Sequence, residues 1–184
     1  MGRKTNASKP TSYGIKGIGM TKIVLLGSAG SGKSRLLSVL SSEKESDAAY
    51  APTNGTRNVK FPSGSREVSL VEVGGNLSKF WSRAIDSKVD GVWYILTREE
   101  YESREFTVFV DFLGQVRESL NARGLLVLAT VVGESDISAD AALERISPTI
   151  LDIGLFLPVK VSVCAQFDKN SVIESLKPLI EVDE

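Results

Sequence analysis

Residues 27–34 read Gly-Ser-Ala-Gly-Ser-Gly-Lys-Ser and lie between two segments of different periodicity. The run 22–26 before them is apolar and rich in β-branched residues, which is typical of a buried strand. The run 35–40 after them has leucines at helical spacing. A strand, a glycine-rich turn and a helix are the context in which the pattern G-x-x-x-x-G-K-[ST] binds phosphate. The alternative, a turn that only joins strand to helix, leaves the fixed positions of the pattern unexplained.

Each residue type in this loop has a chemical reason. Glycine lets the backbone turn so that N–H groups point inward at phosphate oxygens, and the start of the helix favours an anion. Lys33 would reach the β- and γ-phosphates, and the Ser34 hydroxyl would ligate Mg²⁺. The predicted phosphate-binding residues are the whole loop and the residue after it: Gly27, Ser28, Ala29, Gly30, Ser31, Gly32, Lys33, Ser34 and Arg35.

The composition narrows the chemistry that is available. The 184 residues include one cysteine and no histidine, which excludes Ser-His and Cys-His nucleophiles, histidine metal sites and an internal disulfide. Cys164 lies in a strand-like run and is predicted to be a buried thiol in a reducing compartment, so the expected location is cytoplasmic. No apolar run reaches the length of a membrane span, and no stretch has the pattern of a signal peptide.

Charge is distributed unevenly along the chain. Residues 1–42 contain seven Lys and Arg residues and no Asp or Glu. Residues 43–184 contain fifteen Lys and Arg residues and twenty-three Asp and Glu residues. We predict a flexible basic tail over residues 1–20 and one domain over residues 21–182. We favour a solvated leader for the tail; the alternative is weak peripheral contact with acidic lipid headgroups. The acidic balance of the folded part argues against nucleic acid as a partner.

Strand and helix patterns alternate after the loop. Strands are predicted at 57–61, 66–73, 89–96, 124–132 and 159–164, and helices at 77–87, 101–122, 138–146 and 168–180. Ser138 and Asp168 are the predicted N-caps of the last two helices. The segment 62–65 reads as a hairpin turn, which makes the strands on either side antiparallel neighbours. The alternation predicts a three-layer α/β fold of the P-loop NTPase type, with a mostly parallel six-stranded sheet, one antiparallel edge strand and helices on both faces.

Four spaced segments together resemble the small GTPases of the Arf and Arf-like family, over residues 21–182. The phosphate loop is the first segment, and Pro52-Thr53-x-Gly55 resembles the first switch of the family. Glu72-Val73-Gly74-Gly75-Asn76 resembles the Asp-Val-Gly-Gly-Gln sequence of the second switch. Val163-Cys164-Ala165 resembles the loop that packs on guanine, and Trp81 also resembles a tryptophan of the family.

The resemblance implies a switch that binds GTP or GDP with Mg²⁺. Thr53 would ligate the metal together with Ser34, and Glu72 would hold a metal-bound water. The backbone N–H of Gly75 would bond the γ-phosphate, so that loss of this phosphate releases the segment. Effector or complex-subunit proteins would bind through residues 51–56 and 74–82. Near this surface, Thr56, Val71 and Ala84 stand where the family has large aromatic side chains. The usual partners of the family are therefore not expected to bind.

Two residues of the second switch differ from the family. Asn76 stands where the family has the glutamine that orients the attacking water, and it is one methylene shorter. Because a displacement of about 1 Å can cost roughly a hundredfold in rate, hydrolysis is expected to be slow or absent. Glu72 stands where the family has aspartate, so the fit around the metal changes.

The base-reading loop differs most. The family sequence Asn-Lys-x-Asp corresponds here to a stretch in which Thr130 replaces the asparagine, Val131 the lysine and Gly133 the aspartate. Glu134 or Asp136 could take the place of that aspartate through a shift in register. Thr130, Cys164 and Ala165 are the predicted base contacts.

Three functions stay open at this point. The first is an atypical Arf-like switch or scaffold with slow or no hydrolysis. The second is a pseudo-GTPase, an interaction module in a larger complex with little or no nucleotide turnover. The third is a P-loop kinase, which would need a substrate-binding insertion and a lid that no segment of this chain is long enough to form.

Overall fold

The computed structural model describes residues 20–41, 55–64, 66–103, 106–123, 125–133, 137–154 and 159–181. Its sheet has six strands in the spatial order β2-β3-β1-β4-β5-β6. The hairpin strands β2 and β3 are antiparallel, and every other neighbouring pair is parallel. The predicted sheet is therefore confirmed. The strands are β1 (Met20–Leu26), β2 (Thr56–Ser63), β3 (Arg66–Val73), β4 (Gly91–Leu96), β5 (Leu126–Val132) and β6 (Val159–Cys164).

Helices cover both faces of this sheet. They are α1 (Lys33–Ser41), α2 (Trp81–Ala84, after a 3₁₀ turn at Gly75–Phe80), α3 (Arg98–Ser103), α4 (Thr107–Arg123), α5 (Ala139–Asp152) and α6 (Lys169–Ile180). Alternate residues of β1 serve two cores. Ile23 and Leu25 pack in the core that contains α1 and α6, and Val24 and Leu26 in the core that contains α4 and α5. Burial on both faces explains why this strand reads as a continuous apolar run.

The strand order indicates which end of the sheet is suited to bind a ligand. Strand β1 lies between β3 on one side and β4 on the other, so the chain changes direction across the sheet at β1. In open α/β sheets, ligands bind outside the carboxyl ends of the strands at such a switch point. The glycine-rich loop follows β1 directly and therefore occupies this position.

Three helix predictions need correction. The helix predicted at 101–122 is two helices, and between them Phe106 has a φ of +41°, which a right-handed helix does not allow. The helix predicted at 77–87 is a 3₁₀ turn followed by the single turn of α2. The helix predicted at 138–146 continues to residue 152, through Pro148.

Both predicted caps are confirmed. The Ser138 hydroxyl accepts a hydrogen bond from the Ala141 N–H, and the Asp168 carboxylate accepts from the N–H groups of Asn170 and Ser171. Across the residues that the structure describes, no helix combines the length and the apolar character needed to cross a membrane.

Candidate functional site

The loop between β1 and α1 has the backbone shape that its glycines predict. Gly27, Gly30 and Gly32 have φ values of +141°, +82° and +89°, which other residues rarely adopt. At Gly27 a side chain is also excluded sterically, because a Cβ would lie 2.6 Å from the carbonyl oxygen of Ile95. The loop thus curves tightly over the end of β4 before α1 begins.

Lys33 extends back into this curve and is almost fully buried, with 4% of its surface exposed. Its ammonium donates hydrogen bonds to the carbonyl oxygens of Gly27 and Ser28, both at 2.7 Å, and to the Ser31 hydroxyl at 3.1 Å. Burial lowers the pKa of Lys33 below its ordinary value, and nearby carboxylates oppose the shift. Since an ammonium has three donors, each phosphate oxygen that binds it would have to replace one of these acceptors.

Ser34 and Glu72 form the part of the site suited to a metal. The Ser34 hydroxyl donates to Glu72 Oε1 at 2.7 Å, and this glutamate, on β3 beside β1, is 1% exposed. Within the described ranges, no cluster of three or more acidic, cysteine or histidine residues could hold a metal alone. Mg²⁺ is usually held by one or two protein oxygens together with phosphate and water, so this hydroxyl and carboxylate fit it.

Gly75 lies directly on the phosphate loop. A Cβ on this residue would be 2.3 Å from the Ala29 nitrogen and 2.6 Å from the Ser28 carbonyl carbon. The preceding residue, Gly74, makes two hydrogen bonds to other segments. Its N–H donates to the Gly55 carbonyl at 3.0 Å, and its carbonyl oxygen accepts from the Trp81 indole N–H at 3.3 Å. The start of the second predicted switch therefore contacts both the loop and the end of the first.

Gly75→Ala is expected to lower the free energy of unfolding by about 1–3 kcal/mol, because the new methyl group meets backbone that cannot move aside alone. Urea denaturation measures this. Gly114→Ala is the matched control: Gly114 lies in α4 and a Cβ there meets nothing within 4 Å. The control should raise stability by about 0.4–1 kcal/mol. Equal effects of the two substitutions would contradict the close approach of Gly75.

Sequence reasoning missed a contact between the phosphate loop and α3. Ser28 donates a short hydrogen bond to one oxygen of Glu100. The other oxygen accepts from the Thr97 N–H at 2.9 Å, and the Thr97 hydroxyl accepts from the Glu100 N–H at 3.0 Å. This reciprocal pair is a capping box, and its signal was present in the sequence Thr97-Arg-Glu-Glu100. Beneath it, burial raises the pKa of the Tyr94 hydroxyl far above its ordinary range, and the Glu100 carboxylate adds to the shift.

A cavity of about 350 Å³ opens beside the loop, at the ends of β4, β5 and β6. It is lined by Gly30, Ser31, Gly32, Arg35, Thr97, Arg98, Val132 and Phe167. Four of the lining residues were not among the predicted site residues: Thr97, Arg98, Val132 and Phe167. Arg35 was predicted from the loop pattern, and the structure places it in this wall.

The residues predicted to contact a base lie in β5 and at the end of β6, and none of them is among the residues that line the cavity. Thr130 has no exposed surface; its hydroxyl accepts from the Trp93 indole and is hydrogen-bonded to Ser162, both at 2.7 Å. Cys164 is 1% exposed, which confirms the predicted buried thiol, and burial raises its pKa. Ala165 follows it and is half-buried. The Gly133 N–H donates to the Cys164 carbonyl at 3.3 Å, so the ends of β5 and β6 meet here.

The structure thus brings together the phosphate loop, Ser34, Glu72 and Gly75, with Asn76 exposed next to them. Thr53, Glu134, Asp136 and the predicted tail up to residue 19 lie outside the described residues. The roles of all these residues stay predictions.

No model of a protein family matches the chain, and no curated protein sequence matches it. Solved structures do match. One is the Arl6 BBS3 small GTPase from Trypanosoma brucei, determined with the bound nucleotide analogue GppNp. It has a TM-score of 0.65 and 16% sequence identity, over 88% of this chain and 96% of that one. The chain therefore has the fold of a small GTPase.

Proposed function

We propose that this chain is an atypical Arf-like protein that binds GTP or GDP with Mg²⁺ and acts as a nucleotide-dependent switch or scaffold, with slow or no hydrolysis. The observation that carries the proposal is the meeting of two segments of the chain at one point. Residues 27–34 supply the phosphate loop with buried Lys33 and the Ser34 hydroxyl, and residues 72–75 supply the Glu72 carboxylate and the Gly75 backbone. Their shared chemistry is the recognition of a phosphate–metal complex.

The chain's own residues divide the work of binding. The loop N–H groups and Lys33 hold the phosphates, and the Ser34 hydroxyl and Glu72 carboxylate hold the metal or its water. Mg²⁺, when bound, would neutralise phosphate charge and fix the phosphate geometry. Gly75 then reports on the γ-phosphate through its backbone.

Contacts between segments support the proposed switch. Gly74 is hydrogen-bonded to Gly55 and to the Trp81 indole, so a displacement of Gly75 is passed on to both predicted partner surfaces, residues 51–56 and 74–82. Three residues near these surfaces stand where the family has large aromatic side chains. Thr56 is exposed, and Val71 and Ala84 are half-buried. We therefore propose effector or complex-subunit proteins that do not depend on aromatic anchors at these positions.

A pseudo-GTPase module is the second candidate, and one observation favours it. The loop is closed on itself: the Lys33 ammonium bonds loop acceptors, Ser34 bonds Glu72, and Ser28 bonds Glu100. A ligand would have to break some of these contacts, which costs free energy that binding must exceed.

The affinity for GTP and GDP, measured by calorimetry with and without Mg²⁺ on the full chain, separates the two candidates. Micromolar or tighter binding that weakens when Mg²⁺ is removed supports the switch. The absence of heat at millimolar GTP would overturn it and leave the interaction module.

Asn76→Gln is expected to raise single-turnover hydrolysis of bound GTP by roughly ten- to hundredfold, since the added methylene extends the amide toward the attacking water. Phosphate release is the measurement. Asn76→Ala is the control and should hydrolyse no faster than the unchanged protein. A glutamine variant as slow as the alanine variant would show that the length of this side chain does not limit the reaction.

A further inference from the structure

Phe167 forms one wall of the cavity beside the phosphate loop. It lies between the end of β6 and Asp168, the N-cap of α6, so its backbone is fixed at both ends. Its ring is held against the loop, because a Cβ on Gly32 would lie 3.0 Å from the ring atom Cζ. On the ring, the guanidinium carbon of Arg35 lies 4.3 Å from the centroid.

The Phe167–Arg35 pair is a flat wall that carries positive charge, and it adjoins a space of suitable size. The cavity volume of about 350 Å³ is within the usual range for small-molecule sites, roughly 300–1,000 Å³. Val132 adds an apolar surface at the end of β5, and Thr97 and Arg98 lie at the start of α3. Aromatic rings and guanidinium groups both stack on the faces of planar heterocycles.

The side chains at the family's base-reading positions point elsewhere. The Thr130 hydroxyl is engaged inside the sheet with Trp93 and Ser162, and the Val131 side chain is fully buried in the core on the α4 and α5 side. Neither side chain forms the wall of the cavity. Among the described residues that line the cavity, Phe167 provides the aromatic ring and Arg35 lies on it, so this pair offers a base a flat surface beside the phosphate loop.

We propose that Phe167, together with Arg35, is the stacking platform for the base of the nucleotide bound at the phosphate loop. This inference rests on the proposed function and adds to it a residue that contributes affinity for the base. Stacking uses the face of the ring system, which all purines share. Phe167 thus supplies affinity without distinguishing one purine edge from another.

The test compares Phe167→Ala with the unchanged full chain for three probes in the presence of Mg²⁺: GTP, ITP and inorganic tripolyphosphate. ITP keeps the purine ring but lacks the 2-amino group of guanine, and tripolyphosphate has no base. The variant should weaken GTP and ITP binding by the same factor, roughly five- to hundredfold, the value of one aromatic stack. Tripolyphosphate affinity should change less than twofold.

Phe167→Trp restores a ring and should return GTP affinity to within about threefold of the unchanged protein, consistent with sequence-tolerant stacking. Leu143→Ala, on the exposed face of α5, is the control for apolar truncation and should have no effect. Equal losses for GTP and tripolyphosphate would overturn the inference, because Phe167 would then act through the shape of the phosphate loop. A loss confined to GTP, or no loss, would overturn it as well.

The outcomes separate this inference from the function on which it rests. If the unchanged protein binds neither GTP nor tripolyphosphate, nucleotide binding itself is refuted. If it binds both and Phe167→Ala binds GTP equally well, only the stacking role fails.

Discussion

Lys33→Ala is expected to weaken GTP binding by at least roughly a hundredfold. A charge-assisted hydrogen bond contributes about 1.5–3 kcal/mol, and an ammonium at the centre of the loop can make two of them to phosphate oxygens. No other lysine in the described part of the chain is buried, so no second ammonium there can replace it.

Thermal stability with and without ligand separates loss of binding from loss of folding. Ligand at a hundred times Kd stabilises a protein by about 2.7 kcal/mol, so the unchanged protein should melt at a higher temperature with Mg²⁺ and GTP. Lys33→Ala should lose this shift while it still unfolds in one cooperative ligand-free transition. Lys60→Ala, an exposed lysine paired with Glu67 on the β2–β3 hairpin, is the matched control and should keep the shift. A full shift in Lys33→Ala would contradict the phosphate-binding role.

The stability of the ligand-free protein should also depend on pH through this residue. The pKa of Lys33 is lower in the folded protein than its ordinary value of 10.5, so between the two values the unfolded chain binds more protons. Stability therefore rises with pH across that window. Lys33→Ala should remove this part of the pH dependence, which denaturation curves at a series of alkaline pH values would detect.

The phosphate loop and its flanks could be predicted because local sequence determines them. Positive φ requires glycine, and two-sided burial makes β1 apolar at every position from 23 to 26. The division between α3 and α4 could not be predicted in the same way. Phe106 lies on the apolar face that continues through Phe109 and Leu113, so the helical period runs through the place where the helix ends. Periodicity reports which face is buried and not where the backbone turns.

The contacts that shape the site were unpredictable for a different reason. Ser28 and Glu100 are 72 residues apart, and Thr130 meets Ser162 only because β5 and β6 pair in that register. The apolar run that predicts β5 is buried at every position from 127 to 132, Thr130 included. It contains no information on whether a ligand or the Trp93 indole will be the partner of the hydroxyl. Such pairings depend on the assembled sheet.

Trp81→Ala is expected to lower the free energy of unfolding by about 3–5 kcal/mol, the usual cost of removing a large buried aromatic side chain. Trp81 is 1% exposed. Its ring packs edge-on against Tyr94 and Phe112, with centroids 5.8 and 5.7 Å away. These residues belong to β4 and α4, so the indole joins the second predicted switch to the sheet and to a helix on one of its faces. Urea denaturation at neutral pH measures the loss.

Trp81→Phe distinguishes the packing of this ring from its hydrogen bond. The phenyl ring keeps most of the contacts with Tyr94 and Phe112 but cannot donate to the Gly74 carbonyl, so the cost should be smaller than for alanine. The proposed contact of the Gly75 N–H with the γ-phosphate implies a preference for GTP over GDP. Because the Gly74 carbonyl belongs to the residue before Gly75, the phenylalanine variant should also lose part of this preference. An unchanged preference would show that the indole contributes to the stability of the fold and not to the preference for GTP. A loss of preference with most of the stability retained would show that the hydrogen bond from Trp81 to Gly74 controls the position of Gly75.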